Sequence, residues 1–93
     1  MGDKMVETEK KHIGKVVNYF TNISVAIIEL EESLAVGEKI SIEGDTTNLQ
    51  QTVESIQIEH KAIKKANKGE SIGLKTINRC RKGDTVYKIT EKV

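Results

Sequence analysis

Lys39-Ile40-Ser41-Ile42-Glu43 decides the fold class. Apolar and polar residues alternate with period two, so in an extended chain Ile40 and Ile42 share one face and Ser41 takes the other. Gly37-Glu38 precedes the stretch and Gly44-Asp45 follows it. Glycine reaches φ > 0 at no steric cost, and a neighbouring carboxylate accepts from turn N–H groups. The stretch therefore reads as a strand between two turns. Gly69-Glu70 and Gly83-Asp84 repeat the same punctuation further on.

Outward from this strand, β-branched residues crowd positions 13–20 and 23–30, with further strand candidates at 52–58, 72–77 and 85–89. In Val53-Glu54-Ser55-Ile56-Gln57-Ile58 the apolar phase jumps. A β-bulge near Glu54-Ser55 would return Val53, Ile56 and Ile58 to one face. The same region has a second reading. Leu49, Val53, Ile56, His60 and Ile63 are spaced as a helical stripe, with Thr47 or Asn48 to cap it and Gly69 to end it. Ile58 falls off that stripe.

Many short strands between such turns predict an all-β fold, a small closed antiparallel β-barrel. Closure would also remove edges that no proline guards. We expect a disordered or frayed lead-in over 1–11 and a single barrel domain over 12–93. Val16, Ile28, Leu30, Ile40, Ile42, Val53, Ile56, Leu74 and Val86 are the expected interior.

The chain has 93 residues, enough for one domain. Hydrophobic residues make up 37% and aromatics 3%, so the core is aliphatic and leaves little to enclose a large cofactor. No cofactor is expected. No apolar run exceeds Val25-Ala26-Ile27-Ile28, which predicts no membrane span and no secretion signal. The single cysteine, Cys80, excludes an internal disulfide and suits a reducing compartment, so a cytoplasmic location is expected.

A net charge of +1 hides a division along the chain: residues 1–58 carry −5, residues 59–82 carry +6, and the remainder is neutral. Lys61, Lys64, Lys65 and Lys68 belong to one loop or turn, and Arg79, Arg81 and Lys82 to another. If the two meet at one end of a barrel, they form a basic face able to hold phosphates. Elsewhere the chemistry is sparse. His12, His60 and Cys80 lack the spacing of a metal site. Arg79 and Arg81 flank Cys80, and nearby cations lower a thiol pKa. Glu29 and Glu31 share a strand face, as paired acid–base carboxylates would, but a solvated acidic edge explains them without chemistry. No catalytic residue is assigned.

Four segments come in a fixed order: Leu34-Ala35-Val36-Gly37-Glu38-Lys39-Ile40-Ser41-Ile42, Thr52-Val53-Glu54-Ser55-Ile56, Lys68-Gly69-Glu70-Ser71-Ile72-Gly73-Leu74 and Arg81-Lys82-Gly83-Asp84-Thr85-Val86. The series resembles the second domain of translational GTPases such as elongation factor Tu, and stand-alone translation elongation factor-like proteins. A similar barrel occurs as a C-terminal accessory domain of collagenase-like peptidases. The resemblance implies a translation-factor type of barrel and favours strand over helix at 49–58. It also implies a non-enzymatic module that contacts tRNA, ribosomal RNA or a ribonucleoprotein through the basic face. The alternative is a protein-interaction module of the peptidase kind. No Gly-x-x-x-x-Gly-Lys-Ser/Thr occurs, so no nucleotide site is expected. The family's tRNA-end pocket does not carry over either: Gln57 replaces its glutamate and Ser71 its asparagine.

Overall fold

The computed structural model describes residues 7–92. These form ten strands: β1 (Glu7–Phe20), β2 (Val25–Leu30), β3 (Leu34–Ala35), β4 (Lys39–Glu43), β5 (Asn48–Thr52), β6 (Ile56–Ile58), β7 (Lys61–Ile63), β8 (Lys65–Ala66), β9 (Ser71–Lys75) and β10 (Thr85–Lys92). No helix occurs among the described residues. Eight strands make one antiparallel sheet in the order β5-β4-β10-β1-β2-β9-β6-β7, and β3 pairs with β8 in a second.

The strand that decided the fold class has the expected bounds, 39–43. Ile40 and Ile42 are buried, and each such side chain contributes about 1.5–3 kcal/mol. Ser41 is buried too, on the opposite face. Its hydroxyl donates to the Glu43 carboxylate (2.7 Å), which also holds the Lys10 ammonium. All nine residues expected inside are buried. Two bulges in β1, after His12 and after Val16, shift its register; the first makes Ile13 the extra residue and lets it face the core with Val16.

Two expectations need correction. The sheet does not close into a barrel: no ladder joins β5 to β7, the strands at its two ends. The small β3–β8 pair and the backbone bonds around Val53 occupy the gap, with Val36 donating to the Lys64 carbonyl and Gly37 to the Val53 carbonyl. On the outer side of β5, the Gln51 amide donates to the Lys75 carbonyl and accepts from the Ile77 N–H, both at 2.8 Å. One side chain thus replaces a ladder. The second correction concerns 49–66, which is neither a helix nor one bulged strand. Residues 53–55 form a corner that carries the chain from β5 at one edge to β6 near the other. Val53 and Ile56 bury themselves on either side of it.

Residues 1–6 of the expected lead-in lie outside the described residues; from Glu7 onward the lead-in pairs with β10, Glu7 opposite Lys92. Among the described residues no third strand pairs with Glu7–Glu9 or Thr90–Lys92, so β1 and β10 extend past the sheet as a two-stranded ribbon.

Candidate functional site

The basic residues fall in two places. Lys61 lies on β7, Lys65 on β8, Lys64 between them and Lys68 in the turn after β8. Arg79, Arg81 and Lys82 lie in the loop between β9 and β10, around a hollow completed by Asn18, Tyr19 and Thr21. Lys64 borders a separate hollow with Val36, Ala62 and Ile63. The structure brings three of the seven cations together and leaves the other four on different elements. All seven are exposed, and none makes an ion pair among the described residues.

Lys68 and Lys82 hold equivalent turn corners. In Ala35–Glu38, Asn67–Glu70 and Arg81–Asp84 the glycine is left-handed, with φ of 98°, 90° and 97°. In each, the first residue's N–H donates to the fourth residue's carboxylate, at 2.7, 2.6 and 2.7 Å. A corner position is the most solvated one in such a turn, which accounts for a lysine there without any partner.

Cys80 is buried, whereas Arg79 and Arg81 are exposed. Burial, and then the negative charge of Asp84, push its thiol up to about 11, against a smaller opposing hydrogen bond from Thr76. The flanking arginines do not activate it. The acidic edge is likewise accounted for: Glu31 faces His12 and Glu32 faces Lys11, each at 3.7 Å. No three His, Cys, Asp or Glu side chains among the described residues converge on a metal-sized site. No helix there is long and apolar enough to cross a membrane.

A second feature escaped the sequence reading. The outer face of β2 and β9 carries a groove of about 280 Å³ whose lining includes Phe20, Ile23, Val25, Ile27 and Gly73. Phe20 is 44% exposed and Ile23 59%. The groove's lip is the β6–β7 turn, Glu59-His60, closed by the Ile58–Lys61 pair. Both turn residues are left-handed, with φ of 51° and 66°. Two-residue hairpins of this kind favour Asn-Gly. A side chain in that conformation costs about 1–2 kcal/mol. The signals were in the sequence: Val25 and Ile27 alternate with Ala26 and Ile28, so β2 is apolar on both faces. That pattern reads equally as a strand buried on both sides.

No protein-family model matches the chain. It is 44% identical, over 85 residues and 90% of its length, to an uncharacterized protease of Methanocaldococcus jannaschii, and covers 21% of that protein. It is 34% identical over 86 residues to a collagenase of Porphyromonas gingivalis, and covers 24% of it. The chain thus spans between a fifth and a quarter of the curated relatives it matches. Its fold matches two crystal structures of the C-terminal domain of a Geobacillus thermoleovorans protein described as a U32 peptidase. Their TM-scores are 0.77 and 0.79 at 16% and 17% identity, over 82% and 84% of this chain and 96% and 91% of theirs. These relatives overturn the kinship with translation factors, and with it the expected place in RNA binding and protein biosynthesis. Of the expected basic face, Lys61, Lys64, Lys65 and Lys68 lie on other elements than the group Arg79, Arg81 and Lys82. Glycine–acid turns before alternating strands are local devices that unrelated sheets share.

Proposed function

We propose that the chain is a non-catalytic accessory module of a U32-type peptidase, and that it engages protein. The observation that carries this reading is the 44% identity to the Methanocaldococcus jannaschii protease across 90% of the chain. A segment matching about a fifth of a protease, with its own core, suits a part that positions polypeptide for a catalytic centre elsewhere. Cys80, the one thiol, is buried and protonated at neutral pH. It has no nucleophile's role in this reading.

The test is made in the Porphyromonas gingivalis collagenase. Deleting the segment that this chain matches should raise KM for gelatin and leave kcat on a short peptide within about twofold, because only binding remote from the reacting bond is removed. Inserting this chain in its place should restore the gelatin KM. Hydrolysis by the 93-residue chain alone, or a deletion that leaves the gelatin KM unchanged, would overturn the proposal.

A further inference from the structure

The geometry points to the groove over Gly73 as a binding site for an extended peptide that inserts an apolar side chain and sets a basic residue against Glu59. The inference deepens the accessory-module reading and rests on it for the choice of partner.

Two observations at this groove run against what folding alone asks for. Gly73 sits in mid-strand, opposite Ile27 of β2, and its φ is not left-handed. A Cβ there would meet Val25 Cγ1 at 3.5 Å and the Gln57 carbonyl oxygen at 3.8 Å, ordinary contacts that the fold accepts. A strand interior favours a side chain, and glycine in one often marks a close approach by a ligand. At Glu59 and His60 the position is reversed, because left-handed backbone favours glycine and two long side chains stand there instead. The fold allows a side chain where the groove needs space, and carries side chains at the lip where the backbone resists them. Non-glycine strain of this kind gathers at binding sites.

The lining selects the occupant. Glu59 is its one carboxylate, and neither lysine nor arginine borders it, so a phosphate-bearing ligand finds no such partner. Phe20, Ile23, Val25, Ile27 and Ile72 with one carboxylate complement an apolar residue beside a lysine or arginine. A volume of about 280 Å³ is below the usual ligand-pocket range of about 300–1,000 Å³ and admits one or two side chains.

The experiment titrates the ¹⁵N-labelled 93-residue chain with the blocked peptide GSRLVSG, following amide shifts by NMR. Saturable shifts at residues 20–27, 57–60 and 71–73, complete by about 1 mM, are expected. The peptides GSELVSG and GSRSSSG should each bind at least threefold more weakly. Gly73→Val should weaken binding at least tenfold while Tm holds or rises. Ile23→Ser, in an exposed turn, is the second variant and should weaken it at least threefold. The double change Glu59→Asn, His60→Gly should raise Tm by about 4–8 °C, as relief of one unit of strain does in a domain this size, and still weaken binding. A merely structural groove would not separate stability from affinity in this way. The inference is overturned by absent shifts, by affinity unchanged in Gly73→Val and Ile23→Ser, by an equal response to oligothymidine, or by the same shifts on concentrating the chain alone, which would make the occupant a second copy. No peptidase is present, so failure here leaves the collagenase deletion result standing, and the reverse also holds.

Discussion

Asp84 does three things with one carboxylate. It accepts the Arg81 N–H at 2.7 Å, it pushes the Cys80 thiol up, and it fills the space where a side chain on Gly44 would stand. A Cβ at Gly44 would overlap the Asp84 carboxylate. Gly44→Ala should therefore cost about 1–3 kcal/mol, since the carboxylate cannot shift without giving up its turn bond; urea unfolding measures it, and an unchanged midpoint would refute the account. Cys80 makes stability depend on pH at the alkaline end. The free thiol ionises near 9.0 and the folded one near about 11. Between these values the unfolded chain binds fewer protons than the folded one, so stability should be full below pH 9 and fall as pH rises toward 11. Urea midpoints at pH 8.5 and 10.5 test this, and Cys80→Ala should remove the part of the decline that the thiol causes.

At the scale of elements, the exposed side of β5 is the weak place in an open sheet, and Gln51 guards it. Removing its amide unmakes one bond to the end of β9 and one to the segment after it, and leaves a bare edge. Gln51→Ala should cost about 1–3 kcal/mol, lowering Tm and speeding hydrogen exchange at the Ile77 amide, while Gln51→Glu loses the donor and should fall between. What the sequence made legible at this scale follows from where each bond is made. The turns ending in Glu38, Glu70 and Asp84 were readable because their bonds close within four residues. The strand at 39–43 was readable because one face is purely aliphatic. The corner at 53–55 was not, because strand and helix periods both fit it and only contacts with distant strands decide. Closure was misjudged for the same reason: what stands between β5 and β7 is a pair of short strands, β3 and β8, joined by bonds between residues far apart in the chain. The groove stayed hidden because outward Val25 and Ile27 look like core residues in a one-dimensional pattern.

Across the whole molecule, several neighbours in the sheet are distant in sequence, β1 beside β10 and β2 beside β9. Such pairing closes long loops before it gains contacts, so refolding should take milliseconds to seconds. The chain contains no proline, so stopped-flow refolding should lack the tens-of-seconds phase of prolyl isomerisation. A dominant phase slower than about 10 s would contradict this. The ribbon of β1 and β10 carries a mechanical consequence. Glu7 and Lys92 are paired at its tip, and the strands run antiparallel with their bonds across the ribbon. Tension applied between these two residues loads one rung at a time, as a zip opens from its end, and does not shear the ladder as a unit. The ribbon yields at low force, and the Lys10–Ile89 pair, where β4 joins β10, is where the peeling first reaches the body of the sheet.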